Sequence, residues 1–161
     1  MQRISTHLWF DSQAEEAARF YVSIFKNSKI TSTTRYGDAG ASASGRPKGS
    51  AMTVVFQLDG QELIALNGGP HFKFSEAISL LVNCETQKEM DELWEKLSAG
   101  GEEGPCGWLK DRYGLSWQVV PTFLREVLQD KNPKKTERVM EALLKMKKLD
   151  IKTLKQAYEQ Q

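Results

Sequence analysis

Two histidines, two cysteines and a scatter of amides and hydroxyls carry most of the chain's chemical versatility outside its charged residues. His7 lies in Ile4 to Phe10, a stretch that alternates as a strand does. Three roles suit an imidazole there: a cavity group that hydrogen-bonds a ligand or water, a packed core histidine, or a metal ligand. The face bearing Ser5, His7 and Trp9 is more polar than the face bearing Ile4, Leu8 and Phe10, so the first is expected to look into a cavity and the second toward helices. By the same argument Ser79 and Asn83 look inward from a later strand, Asn67 ends another, and Gln118 stands on the last. His7, Trp9, Asn67, Ser79 and Gln118 thus form the candidate ligand-binding set. They supply donors and acceptors without a fixed charge, which disfavours a strongly anionic ligand. A one-residue slip on the first strand gives the rival arrangement, with His7 buried under the following helix.

His71 follows Pro70 in a loop and reads as surface or rim. Cys84 and Cys106 lack any C-x-x-C spacing, so neither a disulfide framework nor a zinc knuckle is expected, and both read as buried or half-buried thiols. With 161 residues, 40% apolar and 27% charged, the chain fits one domain of ordinary size with or without an appendage, or two small halves. The formal charge of +1 argues against a nucleic-acid binder or a polybasic membrane protein, leaving a small molecule or a protein as partner. No apolar run approaches the roughly 20 residues that span a bilayer, and the N-terminus lacks signal-peptide character, so a cytoplasmic location is expected.

The elements that must position these residues follow in order. After the first strand, Ser12-Gln-Ala-Glu15 has the pattern of a capping box, and Ala14, Ala17, Ala18, Tyr21, Ile24 and Phe25 fall on one face of a helix ending at Asn27 and Ser28. Lys29 to Tyr36 reads as a strand. Gly37 to Ser50 has four glycines and no apolar anchor, and is expected to be a long, mobile loop. Ala51 to Asp59 and Gln61 to Asn67 form a hairpin turning at Asp59-Gly60, and Gly68-Gly69-Pro70 breaks it off. The pattern then restarts: a strand from Ala77 to Cys84, a capping box Thr86-Gln-Lys-Glu89, and a helix with apolar face Met90, Leu93, Trp94 and Leu97. Gly100-Gly101 stops that helix. A hairpin from Cys106 to Pro121 closes the second half around Asp111-Arg112-Tyr113-Gly114, and its tryptophans, Trp108 and Trp117, read as core more readily than as a binding platform.

The two capping boxes are offset by 74 residues and the two helical faces by 73, a structural repeat with one residue of slippage. His7 therefore maps onto Leu80 or Leu81. After Pro121 the composition changes to a helical arm: Asn132-Pro133 starts a helix with the stripe Val139, Met140, Leu143 and Leu144, and Asp150 caps a last short one. From Thr122 onward ten Lys or Arg face six Asp or Glu, giving the arm about +4 and the remainder about −3. A solvated helix face is one reading, and attraction between one subunit's arm and another's body is the other.

Two βαβββ units and a closing hairpin with the D-x-x-G-x-x-x-Q pattern of Asp111, Gly114 and Gln118 resemble the vicinal oxygen chelate superfamily of glyoxalases, bleomycin resistance proteins and ring-cleaving dioxygenases. HLWFDSQAEEAARFYVSIF (7–25), LDGQELIALNGGPHFKF (58–74) and CGWLKDRYGLSWQVVP (106–121) carry the resemblance, which is strongest to the PhnB-like branch. Similar chains, some with an arm like RVMEALLKMKKLDI (138–151), are often labelled demethylubiquinone methyltransferase. The resemblance implies an α+β fold: two βαβββ modules, about 1–70 and 71–121, forming a curved mixed sheet within a domain 1–121 with helices outside, and a helical arm 122–161. It also implies pairing into a homodimer.

The superfamily's enzymes hold a divalent metal with His and Glu side chains. Here Gln118 stands where the family has a glutamate, His7 maps onto a leucine and strand four ends in Asn67. Neutral amides do not replace carboxylates for a hard or borderline cation, so no metal and no other cofactor is expected. A doubly wound methyltransferase needs a glycine-rich loop between a strand and a helix, and neither βα junction has one. The leading expectation is a small-molecule-binding protein with its ligand in the concave sheet, and the sequence assigns it no reaction. The alternatives are a metal-dependent lyase, isomerase or dioxygenase, and a resistance-type protein that sequesters its ligand.

Overall fold

The computed structural model describes residues 2–160. The chain divides into two compact units that join between Phe74 and Ser75. Each is a four-stranded mixed sheet with its own helices.

The first unit runs β1 (Thr6–Phe10), α1 (Ala14–Ile24), β2 (Lys29–Arg35), α2 (Asp38–Ser44), β3 (Ala51–Leu58) and β4 (Gln61–Asn67). Its sheet order is β1-β4-β3-β2, with β1 parallel to β4 and the other pairs antiparallel. The β3–β4 hairpin turns at Asp59 and Gly60, both at positive φ (47° and 82°), the geometry that follows the right-handed twist of the strands. Leu8, Phe10, Val54, Phe56, Leu63 and Ala65 form the buried side of the sheet. Against it α1 lays Ala14, Ala17, Ala18 and Tyr21, with the Tyr21 and Phe56 rings stacked at 6.1 Å between centroids. Three alanines let the helix come close, and the aromatic pair fills the space beyond them.

Two local expectations fail in this unit. The Ser12 to Glu15 pattern forms no capping box: α1 begins after Gln13 with no cap from its own residues, and the Ala14 N–H instead donates to Asn67 Oδ1 at 2.8 Å. The Gly37 to Ser50 segment is not a featureless loop but carries α2. Gly37 enters it extended, and Gly45, in the left-handed region at φ 71°, ends it. The ends are pinned by Tyr36 N–H to Ser50 O (2.9 Å) and Gly49 N–H to Tyr36 O (2.8 Å). Alanine content outweighs glycine between those two stops.

The second unit repeats the order with β5 (Ser79–Cys84), α3 (Gln87–Ser98), β6 (Glu102–Glu103), β7 (Trp108–Lys110) and β8 (Ser116–Pro121), arranged β5-β8-β7-β6. Here the box forms with its return bond one residue early: Thr86 Oγ1 accepts from Glu89 N–H at 3.2 Å, and Glu89 Oε2 accepts from Glu85 N–H, just before the cap, at 2.8 Å. Met90, Leu93, Trp94 and Leu97 of α3 bury against the sheet side that carries Cys84, Leu109, Trp117 and Val119. The hairpin's two tryptophans do not share a face. Trp117 pairs with Leu109 in the core, whereas Trp108 pairs with Gln118 on the other side and is half-buried.

The arm belongs to this unit. It forms α4 (Phe123–Val127), α5 (Pro133–Leu143) and α6 (Ile151–Glu159), with Asn132 and Asp150 as N-caps. Leu124, Val127, Val139, Leu143, Leu149 and Leu154 are all buried. The expected stripe is thus divided: Val139 and Leu143 are covered within the unit, while Leu144 is 63% exposed. Gln87 of α3 clasps the arm by donating to Leu149 O (3.1 Å) and accepting from Ile151 N–H (2.8 Å). The Cys106 and Gly107 amides bond Met146 O and Lys147 O at 2.8 and 2.7 Å. No helix among the described residues is long and apolar enough to cross a membrane.

Candidate functional site

Strand parity decides which side chains can meet a ligand. In β1, Leu8 and Phe10 are buried toward α1, so His7 and Trp9 stand on the opposite face, beside Ile64 and Leu66 of β4. His7 is exposed. Trp9 is half-buried and held on three sides. Its Nε1 donates to Gly69 O at 2.9 Å, and its ring meets Phe72 edge-on at 4.9 Å between centroids. A Cβ on Gly68 would come within 2.2 Å of the same ring. Glycine is therefore required at 68 for the indole to lie against the chain. The Gly68-Gly69 pair had read as a plain turn; only the close approach of the indole, a contact across the sheet, reveals this second role.

Asn67 is placed elsewhere. It pairs in register with Phe10, so its side chain points toward α1, and it is 5% exposed. Its Oδ1 caps α1 and its Nδ2 donates to Ala51 O at 3.1 Å. Tyr36 Oη donates to the Asn67 carbonyl at 2.5 Å, which closes that strand end. The sequence reading placed Asn67 in the cavity because it is polar, but the period-2 alternation puts it among the apolar side chains.

In the second unit Gln118 Nε2 donates to Ser79 Oγ at 2.9 Å, and both side chains are half-buried. Gln118 is flanked in register by Leu81 and Trp108, and Asn83, two positions along β5 from Leu81, is exposed. The structure thus pairs Ser79 with Gln118, and sets His7 and Trp9 on one face of the other sheet.

Below this face the hairpin is fixed by a residue that the family pattern had marked only as a letter. Asp111 is 2% exposed; its Oδ1 accepts from Tyr113 and Leu115 N–H (2.8 and 3.1 Å) and its Oδ2 from Trp117 Nε1 (2.9 Å). A buried carboxylate so supplied with donors organises the turn and orients the strand that carries Gln118.

The two units' registers also test the metal that the fold suggests. His7 pairs with Ile64, and at the matching place Leu81 pairs with Gln118. His7 and Ile64 offer one imidazole and one aliphatic group, and Leu81 and Gln118 one aliphatic group and one neutral amide, and neither pair is a donor set that fits a divalent cation. Among the described residues no three His, Cys, Asp or Glu side chains are grouped to hold a metal. Cys84 is buried, and burial together with the carboxylates of Glu89 and Glu85 pushes its thiol up to about 12, which keeps it protonated and unreactive. Cys106 is half-buried and sits at φ 60°.

Comparison with known proteins fits this architecture. No curated protein sequence matches the chain. Among solved structures, a Bacillus cereus PhnB protein described as a 3-demethylubiquinone-9 3-methyltransferase shares 36% identity, over 75% of this chain and 100% of that one, with a TM-score of 0.66. A Pseudomonas aeruginosa protein shares 20% identity over 75% and 98% of the two chains, with a TM-score of 0.60. The fosfomycin resistance protein FosX of Listeria monocytogenes shares the fold at 17% identity over 80% and 98%, with a TM-score of 0.56. Both βα junctions, 11–13 and 85–86, lack glycine, and both sheets are mixed. The glycine-rich cofactor loop of a doubly wound methyltransferase has no counterpart at either place. A family model described as 3-demethylubiquinone-9 3-methyltransferase matches residues 2–120, and the chain belongs to that PhnB-like family of the vicinal oxygen chelate superfamily.

Proposed function

We propose that the chain is a small-molecule-binding protein whose ligand lies against the face of the first sheet that turns away from α1, with His7 and Trp9 as its contacts, and that Ser79 and Gln118 offer a polar pair to a ligand on the corresponding face of the second sheet. The observation that carries this reading is the way Trp9 is held. A half-buried indole locked by Gly69 O, Phe72 and a glycine that admits no side chain is a rigid platform on a face that also bears an exposed imidazole. Rigid aromatic surface flanked by a few hydrogen-bonding groups is how uncharged and weakly polar ligands are held. Asn67 acts on this site only by shaping the strand end.

A fragment screen by ligand-observed NMR tests the reading. Hits should lose affinity in His7→Ala or in Gln118→Leu, according to the sheet face they occupy, and the reading fails if both variants bind every hit as the parent chain does. We further propose that the protein works as a homodimer, with the exposed Leu81 and Ile78 of the second unit, 51% and 69% accessible, covered by a second copy. Light scattering at high micromolar concentration that reports only a monomer would remove that part.

A further inference from the structure

Beside β6 and β7, within the second unit, lies a cavity of ≈ 500 Å³ that shares no residue with the set above. Its size is that of a site for a small organic molecule. Apolar surface comes from Trp108, Leu109 and Pro105, and charge from three glutamates and one lysine. Lys110 is tied to Glu76 at 2.5 Å, and Glu103 Oε1 accepts from Trp94 Nε1 at 2.9 Å. Glu102, across the ladder from Lys110, makes no side-chain hydrogen bond or close ion pair among the described residues. Three carboxylates against one ammonium leave the lining at −2, so the cavity repels anions.

A second observation points to a ligand. Ser116 belongs to the lining, is 1% exposed, and its Oγ has no hydrogen-bond partner among the described residues. A buried hydroxyl left unsatisfied is costly, and such groups in native proteins are generally met by a water or a ligand. Around it stand an indole that can take a flat ring and a carboxylate that can take a cation.

We propose that this cavity is a second binding site, for a small flat aromatic cation of the amidine or primary-amine class, with its charge at Glu102, its ring on Trp108 and a hydrogen bond at Ser116. Trp108 and Ser116 stand on the same face of the second sheet as Gln118 and Ser79, their register partners, so the cavity adjoins that part of the set above, and Glu102, which the set does not contain, tells the two apart.

Benzamidine, benzamide and benzoate are one shape at three charges, and they make the test. Cys106 lines the cavity and is half-buried, so iodoacetamide should label it in the free protein and its labelling reads the cavity's occupancy, while the buried Cys84 thiol stays protonated. Millimolar benzamidine should slow labelling at Cys106, read by peptide mass spectrometry, benzamide should slow it less, and benzoate should not slow it. Glu102→Gln, a change at an exposed position, should weaken benzamidine at least tenfold and leave benzamide as it was. Ser116→Ala should weaken both benzamidine and benzamide without loss of stability. Benzoate protecting as well as benzamidine, or benzamidine giving no protection while Cys106 labels freely, overturns the proposal.

Discussion

The same strand-helix-hairpin plan is built twice in this chain, and the two copies close it by opposite means. In the first unit the helix starts on Asn67, a side chain 53 residues away at the end of the last strand. In the second it starts on Thr86, its own preceding residue. The registers explain the exchange. Phe10 pairs with Asn67, and at the corresponding place Cys84 pairs with Pro121, whose side chain offers no acceptor. Where the strand end supplies a cap, the local box goes unused; where it supplies none, the box forms. The hairpins differ in the same sense. The first has strands of 8 and 7 residues around a two-residue turn, whereas the second has 3 and 6 and relies on Asp111 and on the arm behind it. One unit holds itself by long-range contacts in its own sheet, and the other by local motifs plus an added layer.

The largest effect should come from Asp111→Ala, which strands two backbone amides and an indole N–H in a buried turn. We expect a loss of about 3 kcal/mol in urea denaturation, since hydrogen bonds to a charged acceptor are the costly ones to remove. A loss below about 1 kcal/mol would show that the second hairpin does not depend on this carboxylate. Asn67→Ala should follow at about 2 kcal/mol, because it uncaps α1 and leaves Ala51 O without its partner. The matched pair of caps sharpens the contrast. Thr86→Ala should cost about 1 kcal/mol, while Ser12→Ala, at the same place in the same four-residue pattern, should stay within about 0.5 kcal/mol. Equal effects at Ser12 and Thr86 would mean that α1 uses its local cap in solution.

Those pairs also show what a sequence can disclose. The β3–β4 hairpin was legible because Asp59-Gly60 states its own geometry, and α3 because its box and its apolar face agree. The box at Ser12 was equally clear as a pattern and wrong as a contact, since the competing acceptor arrives from a strand that only the folded sheet brings near. Helix α2 was hidden by its glycines, two of which turn out to be its boundaries. The strand face was legible where parity was respected, at His7 and Trp9, which turn away from α1, whereas Asn67, where polarity was taken as a guide to direction, turns toward the helix. The partners of Trp9 could not be read at all, because Gly68 and Gly69 look the same whether they turn a chain or admit a ring. Half the stripe of the arm called for a cover, and the chain itself provides one.

The smallest effect concerns the layer that only the second unit has. Lys148 and Gln87 both hydrogen-bond Asp91 on α3, and these contacts hold its carboxyl below the usual carboxylate range. A carboxyl whose folded value is depressed adds stability above its unfolded value, about 3.9, and that share is lost as the pH falls through the folded value. Both side chains of the ion pair are more than a third exposed, so solvent screens it and the share is small. Asp91→Asn should therefore lower stability at pH 7 by less than about 0.5 kcal/mol, and the two urea curves should converge below about pH 3. Added salt at pH 7 should narrow the same gap. Gln87 still clasps Leu149 and Ile151 in the variant, so the arm should stay docked and its amides should exchange no faster at neutral pH. A gap that widens in acid would show that the folded chain favours the protonated carboxyl at Asp91, and faster exchange across α6 would show that the ion pair, not the amide clasp, fastens the arm to the second unit.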